Sequence, residues 1–584
     1  MNILTNPALA DKKIKTLLVQ FTQYLPILDW LKTYNKSLFS DDLFAGIITA
    51  ILLVPQGIAY AILAGLPPQL GLYASILPPI LYALFGTSRS LSVGPVSIAA
   101  IMIASALNSP EISLLGDNVQ SALILSAESG LLMLLMAIFR MGGLVNFISH
   151  PVLAGFTSGA ALLIIANQLP QLAGLKTPEC GIDSACYSQY FQGINANTLI
   201  ISVATLVLLI IFGKPITSLL KKIGVTSSLI TAISKCGPLL SVILSTLAVS
   251  YFNLTAQNVA VVGHIPAGFP QLHFDFAGPN KWKVLLPYAA FIALIAYVES
   301  VAIAKVTANL RGEKINPNQE LIGLGAANLA SALSGGMPVA GGFSRTMVNF
   351  SAGARSQMAM LIAAFILSLA VIFFSEWFSN IPKSALSAII LIAIFRLVRI
   401  KHIIHTWHYD KGDGIAEVVT LLGVLILGIE QGITLGIILT IGSHLRKASH
   451  PHIAVVGRVP ETEHFRNIKR HRVETWHHLL LVRIDESLTF ANVNYIQEYL
   501  ENELWRQPNT KHVVLIFTSV SDIDTTALEA LEMINQALQA TGKTLNIAEA
   551  KGPVQDKLEK TDFLEQLKPG RLFFRTEDAV RYLG

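Results

Sequence analysis

Charge is scarce in this sequence. Asp, Glu, Lys and Arg make up 14% of its 584 residues, against about 25% in an ordinary soluble chain, and the mean hydropathy is +0.56. The shortage excludes a soluble globule for most of the length and makes lipid the solvent to assume. Catalytic signatures are also missing: there is no H-E-x-x-H, G-x-S-x-G or C-x-x-C string, which argues against an enzyme. The tripeptide GKT at 542–544 resembles the end of a P-loop, but the glycine required five residues ahead of Gly542 is Ala537, so no phosphate cradle forms and nucleotide does not drive the protein. The net charge of +5 is small, and its Lys and Arg lie mostly in loops and the tail. That pattern speaks to membrane orientation and not to nucleic acid.

What is present in quantity is apolar sequence of spanning length. The apolar runs extend from about Leu43 to Leu445, and residues 447–584 read as ordinary soluble sequence, so the expected division is 1–42, 43–446 and 447–584. No cleavable signal peptide is visible, and LLVQFTQYLPILDWL with its flanking Lys and Asp residues is expected to lie along the membrane surface. Spans are expected near 43–63, 68–86, 119–139, 145–168, 197–213, 236–252, 284–305, 319–335, 356–378, 382–398, 413–429 and 431–445, with half-spans at 94–107 and 341–353. About fourteen segments result. With that count the basic residues, among them Arg89, Arg140, Lys221, Lys222, Arg311, Arg355, Arg396, Arg399 and Lys401, fall on one side, and Glu111, Asp117, Asp183 and Glu376 on the other. Excess Lys and Arg marks the cytoplasmic side, which places both termini there. His402, His405 and His408 in KHIIHTWHYD then belong to a basic interfacial segment and not to a metal site. Cys180 and Cys186 fall in an outside loop where oxidising conditions allow pairing.

The half-spans are the informative segments. PVAGGFSRTMVNFSAG, 338–353, stands between the apolar runs ALIAYVESVAIAKV and MAMLIAAFILSLAVIFF. A helix from Ser344 to Ala354 reaches roughly 15 Å, half of a hydrocarbon core of about 30 Å, so it starts near the midplane. Free N–H groups and the helix dipole make that start positive, and Arg345 adds a full charge in the first turn. A bound anion resolves the conflict. The alternative is a structural re-entrant segment with Arg345 reaching toward a surface. SVGPVSIAA (92–100) aligns with VAGGFSRTM (339–347), setting Gly94 against Gly341 and Ser97 against Ser344. Interrupted segments at corresponding places in two halves point to a midplane site between inverted repeats. Glu299, within a span, is costly to keep ionised and is therefore a functional candidate; a neutral hydrogen-bonded carboxyl is the structural alternative. The tail alternates strand and helix as a small α/β domain.

The strings PQGIAYA, GLPPQLGLY, FGTSRSLSVGPVS and GGFSR resemble those of the SulP (sulfate permease) anion transporters over nearly the whole chain, and the tail resembles a STAS domain. The resemblance implies an α-helical polytopic fold of seven plus seven inverted-repeat segments, two of them half-helices, followed by that α/β domain. It implies an anion held by Gln56, Tyr60, Val96, Ser97, Phe343, Ser344 and Arg345. It also matches Glu299 to an acid associated with cation coupling, where sodium-using relatives tend to have Asp with Thr one turn later. Here that later residue is Ile303, which lacks an oxygen ligand and favours a proton. In the tail, DIDTTALEAL (522–531) matches a segment that carries a phosphorylatable hydroxyl, with Asp524, Thr525 and Thr526 in the motif; the same residues also serve as helix caps. The expectation is an inner-membrane secondary transporter, a proton–sulfate symporter first. A bicarbonate or dicarboxylate carrier is the alternative, and an anion exchanger, a channel-like conductor or a tethered signalling protein lies further off. Its partners would be an anion, a coupling proton, membrane lipid and a second copy in a homodimer, without metal, cofactor or nucleic acid.

Overall fold

The computed structural model describes residues 25–113, 116–146, 149–175, 193–224, 230, 233, 236–266, 268–276, 278–395 and 398–584. Cys180, Cys186, Asp183, Arg396 and most of the N-terminal segment lie outside the described residues. The chain divides into two units, Met1–Ile438 and Leu439–Gly584, with the division a few residues before the expected 446/447 boundary.

The first unit is helical. Its main elements are α1 (Lys36–Leu63), α2 (Pro68–Tyr73), α3 (Leu77–Phe85), β1 (Val93–Gly94), α4 (Ser97–Leu107), α5 (Asn118–Ile138), α6 (His150–Leu172), α7 (Ala196–Ile211), α8 (Lys214–Lys222), α9 (Gly237–Tyr251), α10 (Pro279–Arg311), α11 (Pro317–Leu333), β2 (Ala340–Gly341), α12 (Phe343–Ser351), α13 (Met358–Ser379), α14 (Lys383–Phe395), α15 (Ile400–Tyr409) and α16 (Lys411–Ile426). The division falls within α17 (Ile429–Ser449). Among the described residues seven helical stretches are long and apolar enough to cross a membrane: Lys36–Leu63, Pro68–Phe85, Asn118–Ile138, His150–Leu172, Ala196–Lys222, Pro279–Arg311 and Met358–Ser379. The remaining expected spans are present as helices, several of them short: α14 has 13 residues and α16 has 16. The first span starts earlier than its apolar run. Asn35 caps α1 by accepting from the Leu38 N–H, which draws Asp41 and Asp42 into the helix. Asp42 is buried because its carboxylate accepts from the Arg355 and Ser356 N–H groups and from the Ser356 and Tyr34 hydroxyls.

Both half-spans are real interruptions. In each, a two-residue strand runs into a short helix of 11 or 9 residues, and the strands pair antiparallel, Val93 with Gly341 and Gly94 with Ala340. The second helix runs from Phe343 to Ser351, starting one residue and ending three residues before the expected bounds. Irregular backbone at this depth requires every polar group to be met by protein. Gly342 N donates to Ser92 O at 3.0 Å, Ser92 N to Thr346 Oγ1 at 3.0 Å, and Gly341 N to Ser300 Oγ at 2.8 Å. Asn328 closes a two-way clamp on the Val339 peptide, 2.9 and 3.0 Å. The approach to α4 is held by Glu320, whose buried carboxylate accepts from the Tyr82 hydroxyl at 2.6 Å and from the Thr87 and Ser88 N–H groups at 2.7 and 3.1 Å.

The second unit contains a six-stranded sheet in the order β4-β3-β5-β6-β7-β8. Its strands are β3 (Ile453–Arg458), β4 (Phe465–Asn467), β5 (Leu479–Ile484), β6 (His512–Ile516), β7 (Thr544–Ala548) and β8 (Leu572–Phe573), and its helices α18 (Val493–Arg506), α19 (Thr525–Ala540), α20 (Gly552–Leu558), α21 (Phe563–Gln566) and α22 (Thr576–Leu583). The pairs from β5 to β8 are parallel and the β3–β4 and β3–β5 pairs antiparallel. Alternating side chains split the apolar residues: Leu480 and Val482 join one core with α18 and α19, and Leu479 and Leu481 join a second with α22, as the two-residue period of a strand requires.

Candidate anion site

The sequence-expected residues of the first unit converge on one cavity of about 610 Å³. Gln56 and Tyr60 come from the same stretch of α1, one helical turn apart and both largely buried. Val96 caps α4 and Ser97 opens it. Gly342 caps α12, so Phe343 and Ser344 form its first turn, both exposed to the cavity. Glu299 enters from α10. The first-turn N–H groups of α4 and α12 thus belong to residues around one space, and two helix starts add their positive ends there.

Arg345 decides the character of the site. Its side chain is 2% exposed and Nη1 donates to the Pro95 carbonyl at 2.5 Å. Nε and Nη2 are buried with no protein hydrogen-bond partner. Uncompensated buried guanidinium donors are expensive, and no carboxylate is salt-bridged to this one among the described residues. Space for the group is made by two glycines: a Cβ on Gly94 would approach Nη2 to 3.2 Å, and one on Gly342 to 3.0 Å. The arrangement leaves two donors of a planar guanidinium, Nε and Nη2, without a protein partner beside hydroxyl and amide side chains, a donor set that an oxyanion can satisfy.

Glu299 is within electrostatic reach of Arg345, and its Oε2 is buried without a hydrogen-bond partner. Ile303, one turn on, is buried and apolar. Among the described residues Glu299 is not the most deeply buried acid. It is half-buried because it lines the cavity, whereas Asp42, Glu128, Glu320 and Glu417 are 0 to 3% exposed. Glu128 stood in the span LILSAESGLLM and Glu417 between Ala416 and Val418 in the span 413–429, and both were legible there; Asp42 stands beside Asp41 and Glu320 in the first turn of its helix, where sequence hides burial. His402 is also more than interfacial, since its Nδ1 lies 2.8 Å from the buried Glu417 Oε1. His405 and His408 are exposed.

The tail residues are not part of this site. Asp524 caps α19: Oδ1 accepts from the Ala527 N–H at 2.8 Å and Oδ2 from the Phe490 N–H at 2.7 Å. Thr525 and Thr526 are exposed in the first turn.

The model of the sulfate permease family matches residues 39–420, and that of the STAS domain residues 470–580. The chain belongs to the sulfate permease family. "Sulfate transporter 4.1, chloroplastic" of Arabidopsis thaliana is 32% identical over 568 residues, covering 95% of this chain and 82% of that one. "High affinity sulfate transporter 2" of Stylosanthes hamata is 30% identical, covering 96% and 87%. Among solved structures, the murine Solute Carrier 26 family member A9 anion transporter in the inward-facing state superposes with a TM-score of 0.84 at 20% identity, covering 97% of this chain and 94% of that one. The transmembrane domain of a cyanobacterial bicarbonate transporter, BicA, gives 0.57 at 20% identity, covering 70% and 99%. This member of the sulfate permease family therefore shares a multi-pass transporter fold with both, followed by its STAS domain.

Proposed function

We propose that this protein is a secondary active anion transporter that carries sulfate together with protons across the plasma membrane, as a homodimer with both termini in the cytoplasm. The observation that carries the reading is Arg345, buried at the start of α12 with Nε and Nη2 unpartnered. Sulfate as the anion is supported by the sulfate transporters it resembles along nearly the whole chain.

The coupling follows from charge. Glu299 and Arg345 interact across the cavity, so an ionised Glu299 competes with the anion for the guanidinium. A proton on Glu299 leaves the guanidinium to the anion, which makes proton and anion binding mutually favourable. The membrane potential adds a second reason. Each charge moved against 100 mV costs about 2.3 kcal/mol, and a dianion entering a negative-inside cell meets that cost twice. Accompanying protons offset it. With Ile303 one turn along and no oxygen there, a sodium shell has no ligand at that place. Paired half-helices at the junction of two repeats suit alternating access, in which the body holding the anion moves against the rest of the membrane unit.

Radiolabelled sulfate uptake into proteoliposomes tests this. An inward proton gradient should drive accumulation that a proton ionophore abolishes. Uptake that follows sodium and ignores pH would overturn the proton coupling, and failure to take up sulfate while bicarbonate or a dicarboxylate is carried would overturn the substrate.

A further inference from the structure

The cavity is lined by a second arginine, Arg399, which comes from neither half-helix. It caps α15. Its N–H donates to Ser158 Oγ on α6 at 3.2 Å, and its carbonyl accepts the N–H of His402 at 2.9 Å. From His402 the connection passes to α16. The ring Nδ1 lies 2.8 Å from Glu417 Oε1, with Thr406 Oγ1 at 3.3 Å from the same nitrogen and donating to the His402 carbonyl at 3.0 Å. Glu417 is 0% exposed and its Oε2 has no hydrogen-bond partner. Among the described residues the His402 ring is the only hydrogen-bond partner of that carboxylate.

A carboxylate wholly removed from solvent needs a counter-charge or a proton. Imidazolium with carboxylate, and imidazole with carboxyl, contain the same number of protons, and both leave the pair neutral. Removal of one proton leaves a buried negative charge with nothing else to meet it. His402 retains 30% side-chain exposure, so the pair can exchange that proton with water. The other titratable groups on the packed elements are few. On α6, the His150 ring lies 6.0 Å from that of His402, at 63°. On α15, Lys401, His405 and His408 are exposed, and His408 Nδ1 bonds the Ile404 carbonyl. At the α15–α16 turn, Asp410 caps α16 by accepting from Gly412 and Asp413 N–H groups, with Lys411 and Asp413 in the first turn.

We propose that His402 and Glu417 are positioning residues for anion transport, a proton-holding pair that seats the start of α15 and so sets Arg399 at the cavity. Loss of the shared proton releases α15 and weakens anion capture, so transport responds to pH at the face His402 meets, separately from the coupling at Glu299. The inference rests on the cavity being the anion site.

The test uses the full chain in proteoliposomes, with sulfate–sulfate exchange measured at equal pH on both faces, from about 6 to about 8.5. In the wild type KM rises several-fold with pH. His402→Gln keeps a donor toward Glu417 without titrating, and Glu417→Gln removes the buried charge; each reduces the slope of the KM profile to the part that Glu299 contributes, and kcat changes less than KM. His150→Gln retains the wild-type slope. Wild-type slopes in both His402→Gln and Glu417→Gln, or a pH-independent wild-type KM, overturn the proposal. So does a flattened slope in His150→Gln alone, which moves the sensor to α6. Absence of any sulfate exchange in the wild type instead overturns the reading of the cavity, and this inference with it.

Discussion

Arg345, from the second half of the chain, donates through Nη1 to the carbonyl of Pro95, from the first. One donor of the guanidinium thereby joins the segments that lead into the two half-helices, and Nε and Nη2 are left without a protein partner. A single side chain both ties the site together and supplies its charge.

Arg345→Ala should abolish anion binding and leave insertion intact. A hydrogen bond to a charged group contributes roughly 1.5 to 3 kcal/mol, or about ten- to more than a hundredfold in affinity. Sulfate-dependent thermal stabilisation of the purified protein measures it. A variant stabilised at the wild-type sulfate concentration would place the site elsewhere.

Gly342→Ala should weaken anion binding several-fold with little change in folding. Its new Cβ meets Arg345 Nη2 at 3.0 Å and Cζ at 3.1 Å, closer than an ordinary contact, so the guanidinium has to give way by a few tenths of an ångström. Titration of the stabilising effect of sulfate reads the loss directly; unchanged affinity would mean that the guanidinium position is not critical.

Glu299→Gln keeps the shape of the side chain but cannot carry the charge. Uphill uptake driven by an inward proton gradient should disappear, and anion binding and anion exchange should persist. Accumulation in response to external acid by the Gln variant would make Glu299 a structural hydrogen-bonding residue.

These predictions bear on what the sequence revealed. Gly, Ser and Arg among apolar neighbours betrayed both interruptions, because lipid tolerates such residues only for a reason. The pairing of Val93 with Gly341 was hidden, since two-residue strands leave no periodicity to read. The partners of Glu320 were hidden as well: Tyr82 and Thr87 lie more than two hundred residues away, and a first-turn glutamate looks like a helix-dipole residue. In the tail, α19 was legible to the residue from TTALEALEMINQALQA, where cap and amphipathic stripe agree. The antiparallel β3–β4 edge was not, because β4 has only three residues and borders charged loops.

Deleting residues 460–584 should leave a membrane unit that inserts and binds sulfate but transports more slowly or pairs less stably. The tail has its own apolar cores, and insertion depends on the spans. Uptake rate and oligomer mass by light scattering give the answer; no change in either would remove both the regulatory and the dimerising role.

Acid should loosen the tail through Glu549. Burial raises its carboxyl, but hydrogen bonds from Thr518 and from the Thr576 hydroxyl and N–H outweigh burial and hold it below the usual carboxylate range. Between the folded and unfolded values the unfolded state binds more protons, so stability rises with pH there. The contribution is fully present above the unfolded value, about 4.3, and is lost as pH falls through the folded one. Glu549→Gln should lower protection of β7 amides in hydrogen exchange near neutral pH and remove this acid step. An acid step of wild-type size in the variant would assign it to another group.

The two-residue ladder also governs how the chain tolerates insertions and deletions. One residue added between Phe85 and Val93 slips the register against Gly341, moves the start of α4 by roughly 3.3 Å and turns alternate side chains to the opposite face. Thr87, Ser88 and Ser90 are each bonded to fixed partners on α11, α13 or α12, so no slack exists to absorb the slip. The count of residues in this segment is thus under as much constraint as their identity, and length variation among viable variants should gather in the connections outside it.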